Sequence, residues 1–345
     1  MNAMIQNLES QQFALLRNVT VITMSTKESA STLLPCSLFT CETLVALKLH
    51  GNFKMKIPTF LLLPHVKFLH LSSVKFVDEC SLNRFISGCP LLEDMVIKAK
   101  WTNIENINIS LPRLKHLTMD FGEGLCDFFH RDLTLWLIFQ ICCGFIMLIS
   151  WQNLESLEEA HIELSLDLED GDSDTFRDSA LDLLKGTSST KHLSLTGNGV
   201  EVGDFYNLSD LELGWSKYVN WTLILPKFLH SSPVLENLIF TEGLEHRESN
   251  DAYDKNFWIR QRKCPSCLLS HLKTITIPHF HAYEEEVDIA RYFVRHGKVL
   301  RELILDSRVN SKEERRQLMK LYKMRKASKD CSIELLESEG WSLFF

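Results

Sequence analysis

The residues best suited to chemistry are a cysteine pair and the two histidines that follow it. Cys264 and Cys267 form a C-x-x-C motif, and His279 and His281 lie downstream. Cysteine thiolates and histidine nitrogens are the ligands of finger-type zinc sites, in which about three to five residues separate the two histidines. Here a single residue separates them. The spacing therefore predicts ordinary loop and core cysteines, with neither a metal site nor redox chemistry.

A second candidate is the acidic sequence around Asp172 and Asp174. Carboxylates at alternate positions are how calcium loops are built, but such a loop needs a spacing of about twelve residues and a closing glutamate. Both features are absent after Gly171. The pattern predicts a solvated loop that leads into a helix over residues 175–185.

No pattern typical of a catalytic centre is present in the chain. A glycine-rich phosphate loop, a G-x-S-x-G nucleophile elbow and an H-E-x-x-H zinc motif are all missing from the sequence. We therefore predict no enzymatic activity, no catalytic residue, no cofactor and no bound metal.

The composition is that of an ordinary globular protein. The chain has 345 residues, of which 45% are hydrophobic and 24% charged, and its formal net charge is −8. Residues 151–180 alone carry 10 acidic side chains against 1 basic one, so no basic domain for nucleic acid is indicated. The 10 cysteines are scattered and no secretory signal opens the chain, which predicts reduced thiols in the cytoplasm or the nucleus.

The elements that could position a binding surface are copies of one segment, apolar-x-x-apolar-x-apolar. The copies cover residues 44–49, 66–71, 92–97, 114–119, 157–162, 190–195, 208–213, 235–240, 272–277 and 300–305. Their fourth positions in the first four copies are 22, 26 and 22 residues apart, which is the spacing of leucine-rich repeats. One such strand cannot bury its apolar face alone, so stacked neighbours must share a core. The sequence predicts an α/β leucine-rich-repeat solenoid with short helices or irregular turns on the convex side.

Alternation within each strand predicts which side chains leave the core. Leu47 and Leu49 face one way, while Ala46, Lys48 and His50 face the other. The candidate protein-binding residues on this concave face are Lys48, His50, Phe68, His70, Asp94, Val96, His116, Thr118, His192, Asp210, Glu212, Asn237, Ile239, Glu302 and Ile304. The mixture of apolar, histidine and charged side chains favours a protein or peptide ligand over nucleic acid.

The order of several motifs resembles the plant F-box proteins that carry leucine-rich repeats followed by a C-terminal FBD region. The matching segments are residues 34–49, 63–71, 85–95 and 157–162 for the repeats, 267–275 for the opening of the FBD region and 286–300 for its central helix. The resemblance covers most of residues 16–336. It implies a repeat region closed by an FBD-like strand-helix-strand cap.

In that family a helical F-box of about fifty residues precedes the repeats and binds the Skp-family adaptor of a cullin ubiquitin ligase. We recognise no F-box in this chain, and only the sequence Leu16-Arg17-Asn18-Val19 resembles the segment that would follow one. The resemblance thus implies an SCF-type substrate-recognition subunit that reads a protein substrate on the concave face, with the adaptor and the cullin as partners. The alternative is a free-standing interaction module, or a degenerate paralogue, with no ligase link.

The apolar segment 133–151 interrupts the repeats. It contains no charged residue, and as a helix it would rise about 28 Å, close to the thickness of a bilayer core. It falls in a 43-residue step between Leu117 and Ala160, where a repeat strand is missing. A membrane span, a buried insertion and a fault in the gene model remain open, so a membrane-anchored protein is a second functional alternative.

The expected domains follow from these motifs. Residues 1–34 are an N-terminal remnant, 35–257 the leucine-rich repeats interrupted by 133–151, 258–336 the FBD-like region and 337–345 a tail. Near the end, residues 311–329 are predicted to form a helix with Ser311 as its N-cap and Glu313 and Glu314 in its first turn. Its many basic side chains predict a solvated face, with a nuclear-import or anion-binding patch as the alternative.

Overall fold

The structure is a computed structural model that describes most of the chain in separate stretches. The described residues are 2–6, 19–26, 32–77, 79–100, 106–120, 148–152, 154, 156–164, 184, 186–197, 203–214, 221–244, 257–261, 263–307 and 311–337. The chain divides into two compact units, residues 1–189 and 190–345.

Unit 1 contains a parallel sheet with the strand order β1-β2-β4-β6-β7-β9-β11, on which β3 and β5 form a side branch, and a separate parallel pair of β8 and β10. The strands are β1 Asn2–Gln6, β2 Val21–Ser25, β3 Thr32–Leu33, β4 Ala46–His50, β5 Phe53–Met55, β6 Phe68–Phe76, β7 Asp94–Lys100, β8 Asn106–Ser110, β9 His116–Asp120, β10 Leu148–Gln152 and β11 Glu159–Leu164. A 3-10 helix spans Cys36–Thr40, and helix α1 spans Glu79–Ser87.

Unit 2 contains a parallel sheet with the order β12-β13-β14-β15-β16-β17. Its strands are β12 His192–Gly197, β13 Asp210–Gly214, β14 Asn237–Phe240, β15 Thr274–Phe280, β16 Glu302–Ser307 and β17 Ser332–Glu337. Its helices are α2 Trp221–Ser231, α3 Phe257–Arg260, α4 Ser266–Ser270, α5 Glu284–His296 and α6 Lys312–Lys323. The sheets are not closed: β1 is an edge strand in unit 1, and β17 is an edge strand in unit 2.

Every predicted repeat copy forms a strand of one of these sheets. In unit 1 the register pairs Leu47 with Leu69, Leu69 with Met95, and Met95 with Leu117. These four side chains are at most 1% exposed. In unit 2 the corresponding buried ladder is Leu193, Leu211, Leu238, Ile275 and Leu303. The parallel, in-register pairing therefore stacks like apolar residues into a continuous core within each unit.

The same type of turn precedes several of these strands. The backbone N–H of the first apolar residue of a copy donates to the carbonyl three residues earlier, as in Leu92 to Cys89 and Leu114 to Leu111. Proline occupies the second position of several such turns, namely Pro64, Pro90, Pro112 and Pro233. Its fixed φ preorganises that position and removes a donor that the turn does not use. The turn explains why each copy of the pattern begins two residues before its strand.

In the long step before β11, the strand that the structure describes lies outside the main sheet of unit 1. β11 pairs directly with β9, with Glu159 opposite His116 and Ala160 opposite Leu117, so no repeat strand lies between them. The end of the apolar segment, Leu148–Gln152, is instead a strand that pairs with β8, so a helix through residue 151 is wrong there. Residues 133–147 lie outside the described part, as do 165–183, where the acidic loop and most of the helix over 175–185 were predicted. Among the helices that the structure describes, none is long and apolar enough to cross a membrane.

The predicted helix over 311–329 begins as expected and ends early. The Ser311 hydroxyl accepts the Glu314 N–H, and the Glu314 carboxylate accepts the Ser311 N–H, which makes a capping box. The helix ends at Lys323 because the chain must turn back to enter β17: Met324 is extended, and the Ala327 N–H donates to the Val294 carbonyl. The predicted end at residue 329 is therefore wrong.

Helix α5 starts with a buried carboxylate. Glu286 is 0% exposed, and its Oε2 accepts the backbone N–H groups of His281 and Tyr283, each at 3.0 Å. Its Oε1 has no hydrogen-bond partner among the described residues. Burial raises the pKa of Glu286 to about 8, although the two N–H groups favour the ionised form. Glu286 is therefore protonated at neutral pH in the folded protein.

We expect Leu69→Ala in the centre of the unit 1 ladder to lower the free energy of unfolding by about 2–5 kcal/mol, because it leaves a cavity between Leu47 and Met95. Phe68→Ala, at a neighbouring side chain that is 44% exposed, should cost less than about 1 kcal/mol. Urea unfolding followed by circular dichroism measures both. Equal losses in the two variants would contradict the assignment of the two faces.

Glu286 should make stability pH-dependent. Its folded-state pKa lies above that of an unfolded glutamate, so its contribution is fully present below about pH 4.5 and is lost as the pH rises through about 8. Relative to Glu286→Gln, which cannot ionise, we expect the native protein to lose on the order of a few kcal/mol across that range. Chemical unfolding of both proteins between pH 4.5 and 9 gives the difference. A difference that does not change with pH would rule out a buried, raised-pKa carboxyl group.

Candidate protein-binding face

The outward side chains of unit 1 form two rows across the strands, which we call the exposed strand face. In the first row Phe68 of β6 lies beside Asp94 of β7, Asp94 beside His116 of β9, and His116 beside Glu159 of β11. Phe68 is 44% exposed, although aromatic side chains are usually covered in a folded protein. The first row therefore sets an aromatic ring next to polar and charged groups.

The polar part of this row is a chain of acid–histidine contacts. His116 Nδ1 lies 3.4 Å from Asp94 Oδ2, and its Nε2 lies 3.9 Å from Glu159 Oε2. The other Glu159 oxygen is 2.8 Å from His161 Nε2. These side chains are 35–49% exposed, so solvent screens the contacts and each contributes little to stability.

The second row of unit 1 runs from Lys48 through His70 and Val96 to Thr118. One pleat further along, His50 is opposite Ser72, and Ser72 is opposite Lys98. Partial burial lowers the pKa of His70, and the neighbouring ammonium groups of Lys48 and Lys98 lower it further. Burial and the neighbouring cations therefore both disfavour the charged form of the His70 imidazole.

Unit 2 has two corresponding rows with a different charge. The first row contains His192, Asp210, Asn237, Thr274 and Glu302, and the second contains Ser194, Glu212, Ile239, Thr276 and Ile304. His192 Nδ1 lies 3.0 Å from Asp210 Oδ2, and the Asn237 amide donates to Asp210 Oδ1 at 2.6 Å. The rows of unit 2 thus present carboxylates and amides with two exposed or half-buried isoleucines between them.

All the residues that we assigned to the concave face are half-buried or exposed, and the register aligns them in the rows predicted within each unit. Ala46 was expected at the start of the first row, but it is only 7% exposed. Its methyl group is too short to reach past its neighbours, so it adds no functional group to the face.

The sequence pattern did not identify several residues that lie on these rows. Glu159 and His161 belong to a weak repeat copy, and their place beside β9 became clear only from the direct β9–β11 pairing. Lys98 lies two residues after Val96 and could have been found by continuing the alternation along β7. Ser332 and Glu334 extend the rows of unit 2 onto β17, which no repeat copy had marked.

The C-x-x-C motif lies away from these rows and is structural. Cys267 in α4 is fully buried and its thiol donates to the Leu229 carbonyl at 3.3 Å. Burial raises the pKa of Cys267 to about 12 and also raises the pKa of Cys264. Burial therefore disfavours the thiolate form of both cysteines. In the described part of the chain no group of three or more histidine, cysteine or carboxylate side chains is arranged to hold a metal ion.

Two family models match the chain. The model for the LRR repeats of FBD-associated F-box protein At5g56370 matches residues 8–134, which include the strands of the exposed face from β2 to β9. The FBD model matches residues 260–305, which include α4, β15 and α5. Neither model describes a catalytic family.

Relatives from Arabidopsis thaliana align over most of the chain. One F-box/FBD/LRR-repeat relative is 30% identical over 291 residues, which are 80% of this chain and 61% of the relative. FBD-associated F-box protein At3g52670 is 29% identical over 87% of this chain and 69% of its own length. F-box/FBD/LRR-repeat protein At4g00160 is 29% identical over 86% of this chain and 65% of its own length.

The chain thus spans less than two thirds of the length of two of these relatives. The alignments nevertheless cover four fifths or more of this chain, and along it the match to the leucine-rich-repeat model precedes the match to the FBD model. The protein therefore belongs to the plant F-box/FBD/leucine-rich-repeat family.

Proposed function

We propose that the protein recognises a protein substrate through its exposed strand face, as the substrate-recognition subunit of an SCF-type cullin ubiquitin ligase. The observation that carries the proposal is the outward row in which the exposed ring of Phe68 lies beside acid–histidine contacts on a rigid parallel sheet. Transfer of ubiquitin is then the work of partner subunits, and this chain supplies binding alone.

The composition of the face supports a protein ligand. Protein interfaces combine exposed aromatic or aliphatic side chains with a polar surround. In unit 1 Phe68 and Val96 supply the apolar contacts, and neighbouring histidine and carboxylate groups supply hydrogen bonds; in the rows of unit 2 Ile239 and Ile304 have the apolar role. The described strand face carries carboxylates in both units, which disfavours a nucleic-acid ligand because phosphates require a continuous basic lining.

The wider architecture is part of the same proposal. We infer that the repeats of residues 35–257 stack as a solenoid, and that residues 258–336 close it as an FBD-like cap, with 1–34 as an N-terminal remnant and 337–345 as a tail. The parallel register within each unit and the FBD match over 260–305 support this division.

The proposed compartment is the cytoplasm, the nucleus or both. The cysteines that the structure describes are all free, and free buried thiols are typical of reducing compartments. Burial raises the pKa of Cys89 to about 12, so that thiol stays protonated and unreactive.

The ligase role predicts that the Skp-family adaptor and the cullin co-purify with this chain, expressed with an affinity tag in plant cells. Quantitative mass spectrometry against a tag-only control measures their recovery. If neither subunit is recovered while the chain is soluble and folded, the protein is a free-standing interaction module or a degenerate paralogue. Recovery in a carbonate-resistant membrane fraction would favour the membrane-anchored alternative.

The recognition role predicts that Phe68→Glu weakens binding of the client protein by about tenfold or more, because it puts a charge where an apolar contact forms. Phe60→Glu is a matched control in the same unit: Phe60 is 67% exposed but lies in the connection between β5 and β6. Proteins enriched by the native chain are quantified in pull-downs with each variant. Equal recovery with both variants would contradict binding through the strand rows.

A further inference from the structure

The exposed face of unit 1 contains a group of basic side chains that the proposed function leaves unexplained. This basic cluster consists of Lys48 and His50 on β4, Lys54 on β5, His70 and Lys75 on β6, and Lys98 on β7. All six side chains are exposed. Neighbouring strands of unit 1 carry them, and a register irregularity between Ser72 and Val74 separates Lys54 and Lys75 from the other four.

The register brings like charges together. Lys54 lies directly opposite Lys75, and Lys48 lies directly opposite His70, whose pKa the positive charges of Lys48 and Lys98 lower. Like charges opposite each other destabilise a sheet. Asp120 of β9 lies directly opposite Lys98, and among the side chains that the structure describes no ion pair joins a lysine of this cluster to a carboxylate. The nearby carboxylate of Asp94 instead contacts His116.

The dimensions of the cluster decide between a small anion and a longer one. Neighbouring strands are about 4.8 Å apart and alternate residues on a strand about 6.6 Å apart, so Lys48 on β4 and Lys98 on β7 are separated by about 10 Å across the strands and by about 6.6 Å along them. A single phosphate or carboxylate contacts only a part of such an area. An extended chain with several negative groups contacts it all.

We propose that the basic cluster of unit 1 binds an acidic, carboxylate-rich peptide segment of the protein partner. This inference rests on the proposed function, since it names the chemistry of the substrate that the exposed strand face reads. Phe68 lies two residues before His70 on β6 and is exposed on the same face. A side chain of the peptide can therefore make an apolar contact with Phe68 beside the charges. The opposite charges of the peptide and the cluster attract each other, which raises the rate of association.

The test measures binding of the full chain to a short fluorescent peptide of alternating glutamate and serine, by fluorescence anisotropy at low salt. We expect the double variant Lys48→Glu, Lys98→Glu to bind about tenfold or more weakly, because two attractions become repulsions. The matched control is Lys227→Glu, Lys323→Glu, which makes the same change of net charge at exposed helical positions of unit 2 and should bind as the native chain does. Should the reversed variant not fold, Lys54→Gln, Lys75→Gln removes the charges without repulsion and should weaken binding severalfold.

A second readout is specific to the cluster. Bound carboxylates would stabilise the protonated imidazole, so the peptide should raise the pKa of His70 in an NMR titration. In the chain itself Lys48, Lys98 and His50 lower this pKa, and Asp94 raises it. Equal weakening by the control pair, an unchanged His70 titration, or tighter binding of a single-stranded oligonucleotide than of the peptide would overturn the proposal.

Failure of this proposal is distinguishable from failure of the proposed function. The peptide experiment contains no adaptor or cullin, so a negative result leaves recovery of those subunits and the Phe68 comparison unaffected. Conversely, loss of the ligase partners would not alter peptide binding by the basic cluster.

Discussion

The structure depends on one constraint, the in-register stacking of apolar side chains along parallel strands. Because side chains alternate along a strand, burying Leu69 between Leu47 and Met95 obliges Phe68 and His70 to leave the core. A register slip of one residue would exchange the two sets, at the cost of burying charges. The same interaction that stabilises each unit therefore fixes the composition of its exposed face.

This arrangement separates stability from recognition. The residues of the buried ladders stabilise the sheets through packing. The residues of the rows contact solvent and contribute little to the free energy of unfolding. Substitutions in the rows can change the ligand without disturbing the sheet. The different charge of the rows in the two units, with Lys48 and Lys98 in unit 1 against Glu212 and Glu302 in unit 2, is consistent with that freedom.

How far the sequence predicts the structure depends on how local the cause is. The repeat strands and their facing were predictable because a period of two and a preceding turn are encoded in each copy. The direct pairing of β11 with β9 was not, because the choice of neighbour is made by tertiary packing across a 43-residue step. The end of α6 at Lys323 is likewise set by tertiary structure, because the chain must return to β17. The residues after Lys323 favour a helix, so the sequence does not indicate this end. For the face, alternation gave most residues but missed Lys98, since the copies end before it.

Site-specific photo-crosslinking shows most directly whether the exposed rows contact the protein partner. A photo-reactive amino acid placed at His70 or Val96, on neighbouring strands of unit 1, is compared in plant extract with one at Phe60 or Lys227, which are exposed outside the rows. We expect the probes at His70 and Val96 to capture the same protein and the probes at the two control positions not to capture it. Capture from the control positions alone, or of unrelated proteins from His70 and Val96, would contradict this expectation.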